Sequence, residues 1–312
     1  MGKTYFFSLC LFSALAVSCN FSDQGLIPAS AVPLADPYIL LHDGVYYAYG
    51  TNPDNRIGVY TSRNLRTWKT AYEALSADSM WGEHLFWAPE VYYIKERKRF
   101  LMYYTSDARI CAAWSASPLG PFVQEEKKTM LGERSVDNTL FVDDDGQAYV
   151  FYNAFDDGMT ICGAELEDDL VTIRPQTIRH CLRTSQKWEE VWPRVNEGAF
   201  VIKHEGIYYM IYSGNSHFSQ YYGIGFATAS SPLGPWTKYD KNPVLQRPAN
   251  LLGTGHSTLF RDKRDRLKIV FHAHHDDKSV HPRAMYTADV SFGDEPVPVI
   301  HLSEITSTEL KR

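Results

Sequence analysis

The sequence predicts an all-β fold, a five-bladed β-propeller, and three observations carry that prediction. One hairpin pattern occurs five times: a short apolar strand, a polar turn, and a second apolar strand rich in aromatics. The turns recur every 48 to 60 residues, at positions 44, 98, 146, 206 and 266. Helix signals are nearly absent between them. Several short strands per unit, repeated at about 40 to 50 residues or more, mark a propeller whose units close a ring around a channel. A β-sandwich with irregular strands is the rival, but it does not explain a repeated hairpin followed by a repeated outer turn.

Residues 1–19 precede the repeats and read as an export signal. Lys3 gives the charged start, residues 5–17 form an apolar run, and Ser18, Cys19 and the polar residues 20–24 end it. The run is shorter than the roughly 20 apolar residues that span a bilayer. Ala16-Val17-Ser18-Cys19 resembles a bacterial lipobox, with Ala16 where leucine is usual. That implies a lipid anchor on Cys19 and a place in the periplasm or at the outer membrane or cell surface. Plain secretion after cleavage nearby is the alternative. Residues 20–34 read as a lead-in, and residues 35–312 as a single propeller domain.

The five units follow in order. They read PYILLHDGVYYAYG from Pro37, EVYYIKERKRFLMYYT from Glu90, NTLFVDDDGQAYVFYN from Asn138, GAFVIKHEGIYYMIYS from Gly198, and STLFRDKRDRLKIVFH from Ser257. Three of the turns, Asp43-Gly44, Asp145-Gly146 and Glu205-Gly206, place a glycine where a hairpin needs positive φ. Arg97-Lys98 and Asp265-Arg266 hold the same place in the other two. Ser-Pro-Leu-Gly-Pro occurs at residues 117–121 and again at 231–235, each time before an aromatic, Phe122 or Trp236. Arg63-Asn64-Leu65-Arg66-Thr67-Trp68 matches it in the first unit. These segments predict a turn into an outer fourth strand.

Composition narrows the partners. The net charge is -6, and the basic residues form no long cluster, which argues against nucleic acid. No segment after the signal is long and apolar enough for a membrane helix, so the membrane enters only through the N-terminal anchor. Beyond the signal stand three cysteines, Cys111, Cys162 and Cys181. Three cannot all pair, and no zinc-type spacing is present, so they read as small buried hydrophobes, with Cys162–Cys181 the one pairing left open. Aromatics make up 14% of the chain, which suits a sugar site and a sheet core alike.

The starts of the inner strands of a propeller converge at one end of its channel. The residues there are Asp36 in the first unit, Pro89 or Glu90 in the second, Asp137 in the third, Glu197 in the fourth and His256 in the fifth. Residues far apart in sequence thus meet as three carboxylates and an imidazole. Such a cluster costs stability, because like charges in a partly buried site raise one another's pKa, and clusters of this kind mark functional sites. Carboxylates without a nucleophilic Ser or Cys suit glycosidic bond hydrolysis. One carboxyl must give a proton to the leaving oxygen and a second must stay ionised.

The motifs Ala35-Asp36-Pro37, Val136-Asp137-Asn138, Glu197-Gly198 and Gly255-His256 resemble, as an ordered set, those of family 43 glycoside hydrolases. The resemblance runs from about residue 35 to 290. It implies Asp36 as general base, Asp137 as pKa modulator and Glu197 as general acid of an inverting enzyme. It also implies His256 beside a structural calcium or sodium ion in the channel, with no cofactor for the chemistry. Trp87-Ala88-Pro89 resembles a motif whose tryptophan forms part of the sugar pocket, and Arg283 resembles an arginine that hydrogen-bonds the sugar. Asn138 departs from the family pattern, where proline is common.

The rim is expected from loops after the second strands, with Phe155, Phe218 and Trp192 as sugar contacts or rim packing. His272, His274 and His275 crowd one such loop without a metal-ligand pattern. The expected partner is plant cell-wall polysaccharide or oligosaccharide, cleaved by an exo-acting α-L-arabinofuranosidase. A β-D-xylosidase or endo-xylanase of the same fold is the alternative. A retaining fructan-type enzyme and a sugar-binding propeller without catalysis are the further ones.

Overall fold

The structure is a computed structural model and describes residues 31–51, 56–75, 77–191 and 193–311. The expected export signal, most of the lead-in and Trp192 lie outside the described residues.

Five antiparallel sheets follow one another along the chain. Blade I holds β1 (Ala35–His42), β2 (Val45–Thr51), β3 (Gly58–Ser62) and β4 (Thr67–Glu73). Blade II holds β5 (Trp87–Ile94), β6 (Arg99–Ser106) and β7 (Arg109–Ser115). Blade III holds β8 (Ser135–Val142), β9 (Ala148–Ala154), β10 (Thr160–Glu165) and β11 (Arg179–Leu182). Blade IV holds β12 (Asn196–His204), β13 (Ile207–Gly214), β14 (Gly223–Ala229) and β15 (Thr237–Lys238). Blade V holds β16 (Gly255–Arg261), β17 (Leu267–Ala273), β18 (Ala284–Ser291) and β19 (Val299–Ile300), with β20 (Thr306–Ser307) also on β18. The five-bladed propeller expected from the repeats is the observed fold.

The repeated turns do what their residues favour. Both central residues of Asp43-Gly44 and of Glu205-Gly206 have positive φ, the hairpin geometry whose twist matches the strands. The segment at 63–68 turns into β4 and the one at 231–236 into β15. The copy at 117–121 leads only to two isolated bridges, Trp114 with Val123 and Leu75 with Phe122, so blade II keeps three strands.

The core is five layers, one at each blade junction. Alternate residues of one strand serve different junctions. Phe100, Met102 and Tyr104 of β6 pack toward blade I, and Leu101 and Tyr103 pack toward blade III. Both faces of the inner strands are therefore covered, which is why they read as near-continuous apolar runs. The other layers join blades III and IV, IV and V, and V and I. In the last, Val32 and Leu34 are fully buried beside Val270 and Met285. The ring is closed there by both ends of the described chain. The Met285 N–H donates to the Val32 carbonyl (3.1 Å), and β21 (Glu309–Leu310) pairs parallel with β4. Cys111, Cys162 and Cys181 are all free, the first two buried.

Candidate active site

Every inner strand carries a β-bulge at its start. Two residues of the first strand stand opposite one of the second between Ala35 and Tyr38, Trp87 and Glu90, Val136 and Thr139, Glu197 and Phe200, and Gly255 and Thr258. The first residue inside each bulge has positive φ: Asp36 at 49°, Ala88 at 42°, Asp137 at 58°, Gly198 at 59° and His256 at 46°. This corrects the sequence alignment of the units. Asp36, Asp137 and His256 are equivalent, but Glu197 stands one residue earlier, where the other blades have Ala35, Trp87, Val136 and Gly255. In blade II the equivalent is Ala88, not Pro89 or Glu90. Both positions face the same space, since Ala35 and Asp36, and Val136 and Asp137, line one cavity. A bulge re-aims side chains in this way, so an acid at either position reaches the channel mouth.

The cavity is about 660 Å³ and draws its walls from all five blades. Asp36, Asp137, Glu197, His256 and Arg283 are polar groups in its wall, and Trp87, Phe155 and Phe218 are aromatic ones. Phe155 and Phe218 are exposed at 42% and 65%, as rim residues would be. The Arg134 guanidinium lies 4.3 Å from the Phe155 ring centroid and covers one of its faces.

Three carboxyls meet three different fates. Asp36 is buried, which alone would raise its pKa and is the largest single influence, but the Arg283 guanidinium, His256, His272 and the Thr51 hydroxyl together outweigh it. Arg283 donates to both carboxylate oxygens, Nη1 to Oδ1 at 2.8 Å and Nη2 to Oδ2 at 3.4 Å. Asp36 is thereby held well below the usual carboxylate range and stays ionised. His256 Nδ1 and His272 Nδ1 each lie 3.4 Å from its Oδ1. Burial keeps both imidazoles below their ordinary pKa, with Arg283 adding to the effect.

Glu197 goes the other way. Burial pushes it up to about 7, and the Asp36 charge adds to this, although the nearby Tyr222 hydroxyl and the Arg283 charge oppose it. Asp137 is also raised well above its ordinary value, by burial first and then by repulsion from Glu197 and Asp36. Asp137 and Glu197 therefore titrate as a pair that keeps a proton into the neutral range, beside a carboxylate that does not.

Sequence reasoning missed several neighbours. His272 is not a loop residue but lies in β17, fully buried, with its ring stacked on Tyr222 at 5.7 Å. His274 points elsewhere, with Nε2 2.7 Å from the His217 carbonyl oxygen. His217 and His281 line the cavity. Glu90, whose charge also acts on Asp137, is a further buried carboxyl, pushed up to about 8 by burial and hydrogen-bonded by Tyr92 and Thr139. His272 had one signal in the sequence: it ends its repeat unit where Thr105, Asn153 and Ser213 end theirs.

A propeller cavity that sets one ionised carboxylate beside a pair of carboxyls that keeps a proton defines a carboxylate-driven glycoside hydrolase. The family model of glycosyl hydrolases family 43 matches residues 26–293. The chain belongs to that family, whose members are inverting hydrolases of O-glycosyl bonds. It is similar to the crystal structure of an endo-1,4-β-xylanase from Bacteroides thetaiotaomicron, at 38% identity and a TM-score of 0.88 over 92% of this chain and 100% of that one. It is 28% identical to an extracellular exo-α-(1→5)-L-arabinofuranosidase of Streptomyces avermitilis, over 72% of this chain and 51% of that protein. It is 23% identical to a β-D-galactofuranosidase of Aspergillus niger, over 76% of this chain and 73% of that protein.

The paired titration has a kinetic consequence. Proton donation needs the pair protonated, so kcat/KM is expected to hold in mild acid and to fall as pH rises through about 7. Asp137→Asn removes the charge that holds the last proton of the pair, so the basic limb should move to lower pH. An unmoved limb with full activity in that variant would exclude the coupling.

Proposed function

We propose that this chain is an exported, exo-acting α-L-arabinofuranosidase that trims terminal residues from plant polysaccharide side chains. The observation that carries this reading is the enclosure of the cavity by all five blades. Walls on every side suit one terminal residue entering end-on, rather than a polymer lying across a groove. Two furanosidases among the relatives support the choice of ring. A β-D-galactofuranose ring has the hydroxyl configuration of α-L-arabinofuranose and differs in a longer chain at C4.

In this reading Asp36 is the base. Its carboxylate accepts a proton from water as the water oxygen bonds to the anomeric carbon. Glu197 gives its proton to the leaving oxygen as the glycosidic bond breaks, so the sugar leaves with inverted configuration. Asp36 ends protonated and Glu197 ionised, and exchange with solvent resets both. Asp137 sets the proton affinity of Glu197. Arg283 holds Asp36 and offers Nη2, only weakly engaged at 3.4 Å, to a sugar hydroxyl. Trp87, Phe155 and Phe218 supply apolar faces for the sugar and its neighbour. A channel cation would rest on the His256 imidazole and water, because no three His, Cys, Asp or Glu side chains among the described residues are placed to hold a metal ion together. Residues 1–19 would export the chain and Cys19 would anchor it, which fits a substrate too large to enter a cell.

A second reading, β-D-xyloside cleavage, is favoured by the similarity to the Bacteroides thetaiotaomicron xylanase structure. The deciding experiment compares kcat/KM on 4-nitrophenyl α-L-arabinofuranoside and β-D-xylopyranoside, then products from arabinoxylan. We expect the arabinofuranoside to be preferred by roughly tenfold or more, as one or two hydrogen bonds would give, and free arabinose to appear with the backbone intact. Xylo-oligosaccharides released from unbranched xylan would overturn the exo-arabinofuranosidase reading.

A further inference from the structure

A bulge leaves the N–H of its extra residue without a ladder partner. In this propeller all five of these N–H groups are taken up across the blade junctions. Ala88 N–H donates to Thr51 Oγ1 (2.9 Å), Asp137 N–H to Thr105 Oγ1 (3.0 Å), and Gly198 N–H to Asn153 Oδ1 (3.3 Å). His256 N–H donates to Ser213 Oγ (2.7 Å), and Asp36 N–H donates to His272 Nδ1 (3.1 Å). Each acceptor sits near the end of the second strand of one blade, and each donor in the bulge of the next. Blade V hands on to blade I, so five clasps close a ring around the channel mouth.

Thr, Thr, Asn, Ser and His share little except a side-chain acceptor at that reach. Shape alone does not explain them, since an apolar residue could fill the same place. It would leave a buried N–H unpaired, which costs about 1–3 kcal/mol. Much of each junction is an apolar layer, which resists separation but has no direction. The clasps are directional contacts between blades at the level where the carboxylates stand, one at every junction.

We propose that Thr105 is a positioning residue for Asp137: its hydroxyl pins the bulge that carries this carboxyl to the edge of blade II. Thr105 is fully buried and outside the cavity wall, so it acts through Asp137 and not on the sugar. The inference rests on the reading of Asp137 as a partner of Glu197 in proton exchange.

The test uses the full chain with Thr105→Val, which keeps shape and loses the acceptor, and Thr105→Ser, which keeps the acceptor, beside Asp137→Asn. Thr105→Val should lower kcat roughly ten- to a hundredfold, as misplaced reacting groups do, with KM changed little and the basic limb displaced. Thr105→Ser should restore both. Wild-type kcat and pH profile in Thr105→Val, with Asp137→Asn impaired, would overturn the clasp and leave the site reading standing. Wild-type behaviour of Asp137→Asn would instead remove the reading on which the clasp rests. If Thr105→Val does not fold, Thr105→Ala is read in its place. Failure of both to fold with Thr105→Ser active would make the hydroxyl a folding contact and overturn the positioning role.

Discussion

Glu197→Gln is expected to lower kcat/KM on an unactivated arabinoside by about 10²–10⁴-fold, the usual loss when an essential acid is removed. The side chain keeps its shape and loses the proton that burial lets it hold up to about pH 7. A 4-nitrophenyl or dinitrophenyl glycoside needs less protonation on leaving, so its turnover should be partly spared. The remaining rate should also lose its fall above pH 7. Stability gives an independent reading. The folded carboxyl has a raised pKa, so the wild type loses stability as pH rises from the ordinary value of 4.5 through about 7. The glutamine variant carries no such ionisation, and its Tm relative to wild type should rise across that window. Full activity of Glu197→Gln on natural oligosaccharides would remove Glu197 from the acid role.

The second large effect is expected from Asp36→Asn, in activity and in stability together. Loss of the base should lower kcat/KM by a further instance of about 10²–10⁴-fold, and a good leaving group should not spare it, because the attacking water still lacks its proton acceptor. Asp36 and Arg283 are both buried, with the guanidinium on both carboxylate oxygens. Removing one partner leaves the other charge unpaired, a loss of about 3–5 kcal/mol in such sites. The sign with pH follows. The Asp36 pKa is depressed in the fold, so its stabilisation is present above its ordinary value of 3.8 and is lost as pH falls below it. The gap in Tm between wild type and Asp36→Asn should therefore narrow in acid. Adding Arg283→Gln to Asp36→Asn should recover much of the Tm and none of the activity. Recovery of both by the double variant would show that Asp36 serves only to neutralise Arg283.

What the sequence determined by itself is local. The five hairpins rest on residues within one turn of each other, on short apolar strands, and on glycines such as Gly44 and Gly206 that accept positive φ. These were legible, as were the acids near the strand starts, because ring closure sends every strand start to one end. The tertiary structure decided the rest. The register of the bulge puts Glu197 one residue ahead of Asp36 and Asp137, and only pairing with β13 sets that register. The partner of Asp36 is Arg283, 247 residues away, and the acceptor of its N–H is His272, 236 residues away. Nothing near Asp36 in sequence distinguishes the acid that stays ionised from the acids that hold a proton. That difference arises when blade V meets blade I, because a guanidinium and two imidazoles brought against one buried carboxylate together outweigh the cost of burial there, while the other two carboxyls, raised by burial and by neighbouring negative charge, share a proton into the neutral range.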